Sequence, residues 1–157
     1  MAVSGTITKG FTPAKQHFGH TSTPVISGTA GGTIRVGDVV MASSGTVVVA
    51  TADQTATILG VAASSATSGQ AVNIWAALPG VVFEATLEDQ SNENHALTAA
   101  NLWTKYAVQV DPTGSTYHYV DENDSTNYSV VVVKFVSATT TVRGRVQVMF
   151  VQSALIA

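Results

Sequence analysis

The stretch TILGVAASSATSGQAVNIWAALPGVVFEATL, Thr57 to Leu87, decides the fold class. It holds three short apolar pieces cut by a Ser/Gly turn at Ser64 to Gly69 and by Pro79-Gly80. Small polar residues, Pro and Gly let a chain reverse within a few residues. The first piece is Ile58 to Ala62. In the second, Val72, Ile74 and Ala76 point one way and Ala71, Asn73 and Trp75 the other, because successive strand side chains face opposite sides of a sheet. After Pro79-Gly80 the alternation resumes, with Val81, Phe83, Ala85 and Leu87 opposed by Val82, Glu84 and Thr86.

The rest of the chain agrees. Valine occurs 24 times and threonine 21 times against 6 leucines, and β-branched residues favour the pleated, half-buried surface of a strand. Val39-Val40-Met41 and Val47-Val48-Val49 flank a Ser/Gly turn and predict a hairpin. Val130 to Val133 is a continuous apolar run that needs cover on both faces. The last strand, Gly144 to Gln152, sets Val146, Val148 and Phe150 against Gln147, Met149 and Val151. A single helical turn is expected at Ala99 to Leu102, its first orphan N–H capped by the Thr98 hydroxyl. The expected fold is all-β, a small β-barrel or β-sandwich with one short helical turn. At 157 residues a single body can bury about 70% of its unfolded surface. That body spans residues 33–157. Residues 1–32, rich in Gly, Thr, Ser and Pro, read as an extended N-terminal arm with an edge strand near Val3 to Thr8.

The order of segments resembles the small capsid decoration, or cement, proteins of tailed bacteriophages. The residues that carry the likeness are Gly37-Asp38-Val39-Val40, Ile58 to Ala62 with its Ser/Gly turn, Phe83-Glu84, Leu97-Thr98-Ala99-Ala100, and the closing strands VVVVKFVS (130–137) and GRVQVMFVQ (144–152). The likeness spans Ile34 to Leu155. The family often has Gly after the helical turn, where this chain has Trp103. The resemblance implies a structural protein on the outer capsid surface of the virion, synthesised in the host cytoplasm. Its implied partners are the major capsid protein lattice and itself, as a homotrimer over threefold and quasi-threefold positions.

Charge and composition point to partners of the same kind. Charged residues make up 11% of the chain, against about 25% in an average soluble domain. A surface of Thr, Ser, Ala and Gly suits burial against neighbours, because interface cores are depleted in charge. The net charge of -3 is unevenly spread. Residues 1–37 carry Lys9, Lys15 and Arg35 and no acid, whereas the remainder carries 4 basic against 10 acidic residues, or -6. Net negative charge disfavours a nucleic-acid partner, which needs cations to displace phosphate counterions. The N-terminus lacks a basic stretch followed by an apolar run, and no span reaches the roughly 18 apolar residues of a membrane helix, so no membrane partner is expected. Cysteine is absent, which removes disulfides and thiolate metal sites and fits a reducing compartment.

Candidate chemistry is sparse. His17 and His20 stand three residues apart, a spacing that can bind zinc on a helix, but they lie among Gly and Pro with no carboxylate nearby to complete four ligands. They read as polar contact residues; His95 and His118 read as solvent-facing or hydrogen-bonded. Asp121-Glu122-Asn123-Asp124, and Glu88, Asp89 and Glu93, offer oxygen ligands, yet the first has Thr126 where a calcium loop wants Gly. There is no Gly-x-Ser-x-Gly, and Gly28 to Gly32 lacks the spacing and Lys of a phosphate loop. No enzymatic activity, cofactor or metal is therefore expected. The expected capsid contacts are Lys9, Phe11, Lys15, His17 and Phe18 on the arm. The expected subunit interface is Val131, Val133, Met149 and Val151. The alternative is a carbohydrate- or receptor-binding virion module that stacks ligands on Trp75, Trp103, Tyr117 and Tyr119.

Overall fold

Eleven strands and one 3-10 turn form among residues 10–51, 54–88, 96–110 and 117–156, the parts of the chain that the computed structural model describes. In order they are β1 (Thr12–Pro13), β2 (Val25–Thr29), β3 (Val39–Ser43), β4 (Thr46–Val49), β5 (Ile58–Ala62), β6 (Ala71–Ala76), β7 (Val82–Glu88), the 3-10 turn (Ala99–Asn101), β8 (Lys105–Val110), β9 (His118–Asp121), β10 (Val130–Phe135) and β11 (Arg145–Phe150). The protein is all-β.

β7, β11, β10, β8 and β9 follow one another as antiparallel neighbours, and β9 returns to β7 in parallel through Leu87↔Val120 and Glu88↔Asp121. The sheet thus closes into a five-stranded barrel, with β1 added on the outer edge of β7. Closure removes the open edges through which sheets aggregate. Phe83, Ala85 and Leu87 of β7 face its interior with Val130 and Val132 of β10, and Val146, Val148 and Phe150 of β11 complete the row. These are the inward sets that alternation predicts.

The other five strands run β2-β6-β5-β3-β4. This sheet also curls round until its edges touch: Ala30 bridges Val47 and the Gly31 N–H donates to the Val47 carbonyl at 2.8 Å. A Cβ on Gly28 would stand 2.7 Å from Val47 Cγ2, so glycine is what allows β2 and β4 to approach. Val40, Ala62, Val72 and Ile74 fill this smaller interior. The predicted hairpin is β3–β4, turning at Ser44 and Gly45 with φ of 48° and 82°, the left-handed pair that suits two-residue hairpins.

The opposite face of β3 and β5 packs on the larger barrel through Val39, Ile58 and Val61. Phe11 sits in this core with no exposure, stacked on Phe150 at 6.0 Å, while Phe83 meets Phe150 edge-on at 5.6 Å. The N-terminal segment differs from the sequence reading. Residues 10–32 are not a separate arm: β1 pairs with β7, β2 pairs with β6, and the Arg145 guanidinium donates to the Gly10 carbonyl at 3.1 Å. Residue 32 is thus no boundary, because the apolar side chains Phe11, Ala14 and Ala30 supply core that the body needs. At the 3-10 turn Thr98 and Asn101 form a reciprocal capping box, so the expected Thr98 cap has a second half. Asn101 Oδ1 accepts the Thr98 N–H at 2.8 Å, and the Thr98 hydroxyl donates to the same oxygen at 3.3 Å. The expected edge strand at Val3 to Thr8, Lys9, Asp89 to His95 and the turn Asp111 to Gly114 lie outside the described residues.

Candidate functional site

Four of the sequence-predicted contact residues, Lys15, His17, Phe18 and Val133, lie near one another. Segment 14–20 continues from β1 alongside the start of β7 and the turn before it, and is fixed there by four bonds. The Ala14 N–H donates to the Val82 carbonyl at 2.9 Å, and the Phe18 N–H to Gly80 at 2.8 Å. The Val82 N–H donates to His17 Nδ1 at 2.9 Å, and His20 Nε2–H donates to the Pro79 carbonyl at 2.9 Å. With Nδ1 accepting, the proton of His17 sits on Nε2 and is given to the Thr23 hydroxyl at 2.9 Å. The two histidines therefore clamp this segment to the Pro79–Val82 turn. Desolvation, then the charge of His20, holds His17 below the ordinary histidine value and favours the neutral ring this clamp requires.

The other wall comes from a β-bulge. Val132 pairs with Val148 and Lys134 with Gln147, which leaves Val133 as the extra residue on β10. A bulge re-aims side chains, and here both Val133 and Lys134 face outward beside Gln147. Between the walls lies a groove. One end, about 180 Å³, is bounded by Gln16, His17 and Phe18 on the segment side and by Val82, Val133, Lys134 and Gln147 on the sheet side. It continues into a depression of about 280 Å³ that adds Lys15 and Glu84. Phe18 is 63% exposed at its rim. Neither Lys15 nor Lys134 has an ion-pair partner among the described residues. The Gln147 amide leans on Glu84 at 3.4 Å.

Of the expected contacts, Lys15, His17, Phe18 and Val133 thus meet in one place. Val131 and Met149 are half-buried partners across β10–β11 on the same outer surface, and Val151 is half-buried just beyond β11. Phe11, expected to anchor a neighbour, is instead core. Sequence reasoning missed Gln16, Val82, Glu84, Lys134 and Gln147. The outward phase of β7 and β11 was readable from alternation, but not the bulge that turns Lys134 beside Gln147, nor the path of segment 14–20.

The remaining candidates resolve into structural roles. Tyr117 and Tyr119 are buried, and the Tyr117 hydroxyl donates to Glu88 at 2.8 Å; Arg143 Nε lies 3.4 Å from the same carboxylate. Trp75 is half-buried against the core, which leaves Trp103, 67% exposed, as the open aromatic of the four proposed for stacking. Asp121 and Asp124 cap their own turn by accepting the backbone N–H groups of Asn123, Thr126 and Asn127. No group of three or more His, Asp or Glu among the described residues is arranged to hold a metal. The groove offers binding groups: two ammoniums, two side-chain amides and an apolar floor. No protein-family model matches the chain, and no curated protein sequence matches it.

Proposed function

We propose that this chain is a non-enzymatic capsid decoration protein of a tailed bacteriophage, seated on the outer head surface, as a trimer at threefold and quasi-threefold positions, where it stabilises the expanded shell. The observation that carries the reading is the groove on the larger barrel. It sets two lysines that lack ion-pair partners among the described residues beside the exposed Phe18 and the half-buried Val133 on a closed barrel, in a chain otherwise poor in charge. The segment order that resembles the decoration family supports the same destination.

The mechanism is mass action. A protein that binds the expanded lattice and not its precursor adds its binding free energy to the stability of the expanded state, about 2.7 kcal/mol per site at a hundredfold excess over Kd. Rigid β-scaffolds suit the task because little conformational entropy is lost on docking.

Quantitative protein analysis of purified particles tests this. A decoration protein is present in near-lattice proportion to the major shell subunit, and shells stripped of it break at lower temperature. Absence from the particle, or presence at only a few vertex-linked copies, contradicts the proposal.

A further inference from the structure

The groove specifies what should lie in it. Its floor is the half-buried Val133 with the buried Val82 beneath, and Phe18 stands open at one rim. Lys15 and Lys134 supply positive charge without ion-pair partners among the described residues, in a chain whose net charge is -3. Gln16 and Gln147 each carry a donor and an acceptor, the pair of functions that a peptide backbone presents. A phosphate polymer fits poorly. Polyanions need a run of cations, and the groove supplies two, set against the one carboxylate of Glu84. A purely apolar segment fits poorly too, since it would bury two ammoniums without compensation.

We infer that this groove docks an extended acidic-apolar peptide segment of the shell subunit, its carboxylates reaching Lys15 and Lys134 and its apolar side chains seated on Val133 and Phe18. The inference rests on the decoration reading for the identity of the partner, but the groove's chemistry stands on its own residues. The Val133 bulge is what makes the site, because without it Lys134 would face the barrel interior. The His17–Val82 bond holds the opposite wall at fixed distance from the sheet.

Two measurements on the full chain separate this inference from the reading it rests on. The first uses blocked peptides of alternating valine and glutamate, with valine/lysine and valine/glutamine counterparts, and follows backbone amide shifts. The valine/glutamate peptide is expected to shift Val82, Val133, Lys134 and Gln147, and to bind about tenfold more weakly to Lys15→Glu/Lys134→Glu. Shifts elsewhere, or equal binding of all three peptides, overturn the groove assignment. The second adds wild type and the same double variant to shells stripped of this protein. Loss of binding in the variant alone supports the site. Equal binding of both overturns it while leaving the decoration reading in place. Failure of wild type to bind, with the peptide result intact, overturns the shell as partner and keeps the acidic-peptide site.

Discussion

His118 Nδ1 accepts the backbone N–H of Val39 at 3.1 Å, and through Nε2–H the same ring donates to the Ala50 carbonyl at 2.9 Å. A strand of the larger barrel is thereby bonded to β3 and to the residue after β4 in the smaller one. Both bonds demand a neutral imidazole with its proton on Nε2. Burial supplies that condition: desolvation holds His118 below its ordinary value, against the smaller opposing pulls of the Ala50 carbonyl and the Asp38 carboxylate.

The sign of the pH dependence follows. Unfolded, His118 titrates near 6.5, and folded it titrates lower. Between the two values the unfolded chain binds more protons, so stability is lost as pH falls below 6.5. His17 acts in the same direction. Asp38 acts oppositely: burial raises it above 3.8, the folded state holds the extra proton there, and acidification through that window returns stability. The melting temperature should decline from about pH 7.5 to about pH 5.5. His118→Gln keeps a donor and an acceptor but does not titrate, and should flatten the decline. Identical profiles for the two proteins would contradict the assignment.

Phe11 tests whether the N-terminal segment belongs to the core. With no exposure and a stacked partner in Phe150, Phe11→Ala should cost about 3–5 kcal/mol. Urea unfolding measures this directly. A loss below about 1 kcal/mol would mean that Phe11 is a surface anchor after all.

Adjacent valines on β10 should behave in opposite ways. Val132 is fully buried and Val133 is half-buried at the bulge. Val132→Lys buries an unpaired charge and should cost over about 4 kcal/mol. Val133→Lys and Met149→Lys should leave the fold within about 1 kcal/mol of wild type. Circular dichroism reports the fold and sedimentation reports assembly. An assembly that dissociates while its subunits stay folded places these residues at a subunit interface, and an unfolded Val133→Lys contradicts the bulge.

Much of the fold could be read from alternation, because a half-buried strand repeats every two residues and burial obeys that period. Val72/Ile74/Ala76 and Val146/Val148/Phe150 are buried as sets for that reason. Strand adjacency was not readable: β7 pairs with β11, about sixty residues on, and that choice depends on closing a barrel, not on any local signal. The integration of residues 10–32 was missed because Gly and Pro content mimics a linker, whereas here those residues serve close strand approach and tight turns. The site was half legible. Lys15, His17, Phe18 and Val133 stood out by type, but their meeting in one groove depends on a bulge and two histidine clamps that leave no mark in hydrophobic periodicity.

The most direct test is a reconstruction of the particle that carries this protein. The account predicts density for the paired barrels on the outer surface of the expanded head, repeated over threefold and quasi-threefold positions, with the face bearing Lys15, Val133 and Lys134 turned toward the shell. Density confined to the tail or to fibres, or a head surface bare of this protein, would contradict it.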